Sequence, residues 1–230
     1  MTSYRIHYFL TPALLLTGLA AALPAQASCG ASFCSVNTQW ETQGAWTGEG
    51  LRLGLRYEVT DQDQLRSGAD KVAPAGVLGE HDEIRTINRN LLLSADYAMN
   101  PRWALSVQLP VVQRDHEHVH NDIPPETERW HFTTLGDARV SGRWQTPLGQ
   151  HSNGGVQFGL KLPTGRFDEA NDDGVRAERS LQPGSGTTDL LLGVYSHHRL
   201  EGDATTLFLQ ALWQRPLGER AGYQPGQQVS

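Results

Sequence analysis

Leu135-Gly136-Asp137-Ala138-Arg139-Val140-Ser141-Gly142-Arg143-Trp144, followed after a short polar break by Gly155-Val156-Gln157-Phe158-Gly159-Leu160-Lys161-Leu162-Pro163-Thr164-Gly165, is the stretch whose reading decides the fold. Ala138, Val140, Gly142 and Trp144 alternate with Asp137, Arg139, Ser141, Arg143 and Gln145. On the return, Val156, Phe158, Leu160 and Leu162 alternate with Gln157, Gly159 and Lys161. Successive strand side chains point to opposite faces, so a period of two reads as a β-hairpin with one apolar and one polar face. A soluble sandwich turns such an apolar face onto a second sheet. A membrane barrel turns it to lipid and keeps the charged face around enclosed water.

The same alternation extends outward on both sides. Leu51–Thr60 sets Leu51, Leu53, Leu55, Tyr57 and Val59 against Arg52, Arg56 and Glu58. Ile84–Ala98 sets Leu91, Leu93, Ala95 and Tyr97 against Asn88, Asn90, Ser94 and Asp96, with Arg89 interrupting the apolar side near one end. Arg102–Arg114 sets Trp103, Leu105, Val107, Leu109 and Val111 against Ser106, Gln108 and Arg114. Thr187–Arg199 is less regular, because Leu190, Leu191 and Leu192 take both faces. Thr205–Arg215 gathers Leu207, Leu209, Ala211 and Trp213 on one side. With the opening hairpin this makes about seven strands near the length of a tilted membrane-spanning β-strand.

Long connections (Asp61–Glu83, Asp115–Trp130, Arg166–Gly186) alternate with short turns at Met99-Asn100-Pro101, Thr146–Gly154 and Glu201-Gly202-Asp203. Outer-membrane barrels alternate in this way, with short periplasmic turns and long outer loops. Tyr57, Tyr97, Trp103, Trp144 and Trp213 fall toward strand ends, where interfacial aromatics sit. The expected fold is all-β, an antiparallel up-and-down transmembrane β-barrel. Its lumen would be lined by Arg52, Arg56, Arg114, Arg139, Arg143 and Lys161 against Glu58, Asp96 and Asp137. Of the 25 acidic residues, 16 lie in the three long segments, so an acidic rim would surround a basic lumen.

The start of the chain indicates export. Arg5 and His7 precede an apolar run from Phe9 to Leu23, and Ala25-Gln26-Ala27 supplies a small-x-small cleavage site, the pattern of a signal peptide over residues 1–27. Residues 28–50 read as a periplasmic lead and residues 51–230 as the barrel domain. Cys29 and Cys34, the only two cysteines, are expected to form a disulfide in an oxidising compartment; a thiol pair for copper or zinc is the alternative. Cleavage after Ala27 removes Arg5 and no acid, leaving 18 basic against 25 acidic residues. That net charge of −7 excludes nucleic acid as a partner. With a mean hydropathy of −0.44 and no further long apolar run, helical membrane spans are excluded, whereas barrel strands are not.

Leu135-Gly136-Asp137, Gly159-Leu160-Lys161-Leu162-Pro163-Thr164-Gly165 and Leu181-Gln182-Pro183-Gly184-Ser185-Gly186-Thr187-Thr188-Asp189 together resemble the outer-membrane β-barrels of the phenol meta-pathway degradation group, described as transporters. The likeness covers most of the mature chain and lies in turns and strand starts. It implies an outer-membrane location, lipid as a partner, a small-molecule solute and no enzymatic residue. Two features depart from such barrels: the chain ends in polar Gln227-Gln228-Val229-Ser230, and the strand count is odd. An incomplete barrel, from a C-terminally truncated chain, is therefore expected.

Asp115-His116-Glu117-His118-Val119-His120 carries the sharpest local chemistry. If extended, it places His116, His118 and His120 on one face, and His131 on the returning strand is expected to meet them. Imidazoles so gathered suit zinc, copper or nickel; solvated histidines of an outer loop are the plainer reading. Asp168-Glu169-Ala170-Asn171-Asp172-Asp173-Gly174 has the acids of a calcium loop without EF-hand spacing, and reads as a solvated acidic loop. The His197-His198 pair reads as structural or exposed. Gly184-Ser185-Gly186 is not a nucleophile elbow, no base is placed beside Ser185, and the Gly-rich stretches lack a phosphate-loop Lys. Three functional readings stand: a channel or transporter for small molecules, a zinc- or copper-binding surface protein, and a soluble exported β-sandwich.

Overall fold

The alternating rows pair as antiparallel ladders in the computed structural model, which describes residues 48–67, 69–74, 81–120, 125–200 and 205–230. The signal peptide, most of the lead and both cysteines lie outside the described residues. The elements are β1 (Gly50–Gln62), β2 (Arg66–Ser67), β3 (Asp70–Lys71), β4 (His81–Asn100), β5 (Trp103–His120), β6 (Glu126–Leu135), β7 (Ala138–Gly149), β8 (Ser152–Leu162), β9 (Asp189–Arg199), β10 (Thr206–Pro216) and β11 (Gln228–Val229). Neighbours run β1-β4-β5-β7-β8-β9-β10-β11 in one curled half-barrel sheet, and β6 also pairs with β5. β2 and β3 form a small separate hairpin. Among the described residues there is no helix.

β6 and β7 are two halves of one broken strand laid along β5. The outer half of β5 pairs with β6, from Val111↔Leu135 to His120↔Glu126. Its inner half pairs with β7, from Trp103↔Trp144 to Gln108↔Arg139. At the break, Gly136 N–H donates to the Pro110 carbonyl at 2.8 Å. In an antiparallel pair a residue's N–H and C=O point to the same neighbour, so the donor Pro110 lacks falls at the gap between β6 and β7.

This extension corrects the reading of Asp115–Trp130 as a loop. The described part of the segment is strand: β4 and β5 stay paired out to His81↔His120, and β6 runs back along β5. Its sequence hid the strand because the alternation there is between two kinds of polar residue, which carries no hydrophobic signal.

The outer, convex face is apolar over the half of the sheet nearest the short turns. Leu53 and Leu209 are both 73% exposed, and Leu55, Tyr57, Tyr97, Leu105, Val107, Phe158 and Val194 are exposed with them. The inner, concave face over the same height buries Asn90, Ser106, Gln108, Ser141, Gln145, Gln157 and Lys161. Phe158 lies across from Gly142, where a Cβ would come within 2.8 Å of its ring, so glycine leaves room for the aromatic to lie over the neighbouring strand. Trp103 meets the same ring edge-on at a centroid distance of 6.4 Å.

Above this belt the polarity inverts. On the inner face Val112, Trp130 and Phe132 form a buried cluster with Ala177 and Leu181 of the β8–β9 connection. That connection turns inward at Ala177 and Leu181, while Asp168, Asp172 and Asp173 of its acidic segment stay exposed. A short hairpin inside it is closed by Ala177 N–H to Glu169 O at 2.9 Å and Asn171 N–H to Val175 O at 2.9 Å. The Gln182 side chain ties it together by donating to Ala177 O at 2.7 Å and Glu169 O at 3.0 Å.

Candidate functional site

Period two carries the six predicted lumen cations to the inner face together. Arg52, Arg56, Arg139 and Arg143 are half-buried there, and Arg114 and Lys161 are buried. They divide into two settings. Arg114 stands above the belt and is wholly buried, its Nε donating to Asn88 Oδ1 at 2.6 Å and its Nη1 to the Leu181 carbonyl. Its guanidinium lies 5.8 Å from the Phe132 ring centroid. Burial pushes its pKa down to about 10, so it remains charged at neutral pH. It anchors the inward-folded connection rather than facing open water.

Lys161 stands between two carboxylates, 3.0 Å from Asp137 Oδ2 and 3.1 Å from Asp189 Oδ2. Asp137 also accepts from Gly165 N at 3.1 Å, Ser185 N at 2.9 Å and Ser185 Oγ at 2.9 Å. The three sequence motifs around Gly136, Gly165 and Gly184 thus meet at one node. A Cβ on Gly165 would stand 2.8 Å from the Gly136 carbonyl carbon and 2.9 Å from Gly184 Cα, so only glycine permits that crossing. Sequence reading placed no base beside Ser185; the fold brings Lys161 and Asp137 to its hydroxyl. The two carboxylates around the ammonium make Lys161 a hydrogen-bond donor in a structural node.

The densest group of metal-ligating atoms lies on the inner face above the belt. His116, His118 and His120 share that face, as the extended reading expected, and Trp130 and Glu128 stand across from His116 and His118 on β6. His118 Nε2 lies 3.2 Å from His120 Nε2 and 3.3 Å from Glu128 Oε2, and His120 Nε2 lies 3.1 Å from the same oxygen. Among the described residues, His118, His120 and Glu128 are the group whose ligand atoms converge closely enough to hold a metal ion. The His118 side chain is 3% exposed, Glu128 21% and His120 35%, so the group opens to solvent at one side. Trp130 closes the other, its ring 4.8 Å from His118 and 5.7 Å from His116 by centroids, and its Nε1 donates to Val175 O at 2.9 Å.

His131 does not join this group. It stands opposite Asp115 on β5, and Asp115 has the outward parity, so its ring hydrogen-bonds Asp115 on the outer face. The expected parity failed because β5 and β6 pair even with even and odd with odd, which puts His131 opposite outward-facing Asp115. Glu128 takes the place sequence reading gave to His131; its position is legible only once the register is known.

The outer face at this height is an ionic ladder. Arg85 pairs with Asp61 at 2.6 Å, Arg89 with Asp115 at 2.5 Å and Arg129 with Glu117 at 2.8 Å. Arg89, an interruption of the apolar row in the sequence, is therefore the first rung above the belt. The hydrogen bond from Arg85 holds Asp61 below the usual carboxylate range. Partial burial raises Asp115, but hydrogen bonds from His131 and Arg89 outweigh it and leave that carboxyl lowered.

The remaining candidates are structural. Asn171 in the acidic segment accepts from Val175 N at 2.8 Å and shapes the hairpin tip. At the short-turn end Asn153 Nδ2 lies 3.0 Å from His197 Nε2, and Ser152 Oγ 2.6 Å from His198 Nδ1. Compared with known proteins, the chain matches no family model and no curated relative.

Proposed function

We propose that the chain forms part of the wall of an outer-membrane β-barrel that passes small polar or aromatic molecules. The observation that carries this reading is the exposed apolar belt on the convex face backed by a polar, cationic concave face. A soluble protein seldom leaves so many large apolar side chains in a continuous outward belt, whereas lipid favours that arrangement. The ladder of ion pairs directly above the belt supports the same boundary, because charged side chains on the lipid face are destabilising at depth and tolerated outside it. The motif resemblance to phenol meta-pathway outer-membrane barrels supports the transporter reading.

The sheet is open, and unpaired backbone groups at a lipid-facing edge are strongly unfavourable. Closure of the wall therefore needs strands beyond those described. On the inner face Arg52, Arg56, Arg139, Arg143 and Lys161 stand against Glu58, Asp96, Asp137 and Asp189, so a mild anion preference is expected.

The experiment is purification of the full-length protein from membranes, a heat-modifiability gel, and planar-bilayer conductance. The expected result is a compact form that shifts on boiling and an anion-preferring conductance reduced or reversed in Arg52→Glu/Arg56→Glu. A protein that stays soluble without detergent sinks the membrane reading. A membrane-embedded protein with no conductance, or with cation preference, sinks the channel reading alone.

A further inference from the structure

We propose that His118, His120 and Glu128 form a binding site for a single divalent transition-metal ion of the Zn(II) class, with Thr86 and His116 as positioning residues. The inference goes beyond the channel reading and does not rest on it.

The geometry comes first. A tetrahedral ion with ligand bonds of about 2.0–2.1 Å holds its ligand atoms about 3.3–3.4 Å apart. The three atoms here form a triangle with edges of 3.1, 3.2 and 3.3 Å. They already stand close to one face of that tetrahedron. A mixed set of two imidazoles and one carboxylate, with a fourth position left for water or solute, is a donor set zinc accepts.

The protons point the same way. The Thr86 hydroxyl donates to the Glu83 carboxylate, which can only accept. Thr86 Oγ1 must then accept from His116 Nδ1–H, 2.7 Å away. Neutral His116 is left with a lone pair on Nε2, which accepts from His118 Nδ1–H at 3.1 Å. With the hydrogen on Nδ1, a neutral His118 directs the lone pair of Nε2 toward the two other ligand atoms, where an ion would be held by all three. A relay that fixes a ligand histidine through its second nitrogen is how protein metal sites set ring orientation and basicity. Glu128 supplies the negative charge that offsets part of the ion's charge, and the Trp130 ring, tilted at 52° with its centroid 4.8 Å away, packs against the His118 ring.

The test is Zn²⁺ titration of the full-length protein in detergent against a chromophoric chelator, with Co²⁺ as a spectroscopic replacement. Circular dichroism checks the fold of each variant. One tight site per chain is expected, with the intense visible bands of four-coordinate Co²⁺ and without the thiolate charge-transfer bands that Cys29 and Cys34 would give. His118→Ala and Glu128→Gln should abolish the site; the Glu128 change preserves shape and hydrogen bonding, so its loss reports a ligand. Thr86→Val should weaken binding by about ten- to a hundredfold. His131→Ala should leave it unchanged. The proposal is overturned if the wild type binds no Zn²⁺, if Co²⁺ shows thiolate bands, if Glu128→Gln binds as wild type, or if His131→Ala loses the ion.

Discussion

The two halves of the β4–β5 hairpin share strands, register and curl, yet they are built inside out relative to each other. Near the short turn, Leu105 and Val107 face outward and Ser106 and Gln108 face inward. Near the long-loop end, Asp115 and Glu117 face outward and Val112, Trp130 and Phe132 are buried inside. The upper half has an apolar cluster packed on its inner face beside buried Arg114, and ion pairs on its outer face. The lower half obeys the rule for barrel walls. The same backbone geometry serves both halves.

Substitutions at matched positions test that comparison. The largest expected effect is on the upper inner face. Trp130→Ala removes a buried indole, its tilted ring contacts with His116 and His118 and its hydrogen bond to Val175 O, and should cost about 3–5 kcal/mol of local stability. Hydrogen exchange and limited proteolysis across residues 163–188 would read the loss. Protection unchanged from wild type would mean that the inward fold of this connection does not depend on Trp130.

Next comes the lower outer face. Val107→Arg should destabilise a membrane-inserted sheet by about 2–4 kcal/mol near mid-bilayer, whereas Gln113→Arg, three rungs higher on the same face, should cost about 0–1 kcal/mol. Urea titration of the protein folded in lipid vesicles compares the two. Equal, negligible effects would mean that Val107 meets water and would remove the contrast between the halves. On the lower inner face, Gln108→Ala should cost about 1 kcal/mol, because it removes a buried amide's interactions with its neighbours.

The smallest effect concerns pH and the ionic ladder. Asp61 and Asp115 titrate below the ordinary carboxylate value of 3.8 in the folded protein. A depressed folded pKa stabilises at pH above the unfolded value and loses that contribution as pH falls through the folded one. The outer ends of β1, β4 and β5 should thus keep full protection above about pH 4 and loosen below it. Asp115→Asn should flatten this dependence, read as amide exchange in the upper β5–β6 hairpin. A pH profile identical to wild type would remove Asp115 from the account.

Much of the lower half was legible in the sequence because its alternation pairs apolar with polar residues, and period two then fixes the faces. Leu51 to Val59 on β1 and Val156 to Leu160 on β8 needed no partner to be read correctly. The upper half was not legible for two physical reasons. His116, Glu117 and His118 alternate polar with polar, so the strand has no hydrophobic signature. The buried cluster also draws Ala177 and Leu181 from a connection about 45–70 residues further along the chain, and no local pattern reports such a contact. The candidate site shows the same division. The shared face of His116, His118 and His120 follows from parity, while the choice of Glu128 over His131 follows from the register of β6 against β5.

By itself the sequence determined an all-β chain with two chemically opposed faces and placed three histidines on one of them, because side-chain direction along a strand depends only on odd or even position. The tertiary structure decided where that polarity inverts, which carboxylate meets the histidines, and that Gly136, Gly165 and Gly184 cross at one point. Those outcomes depend on which strands lie side by side and in what register, and residues distant along the chain fix both.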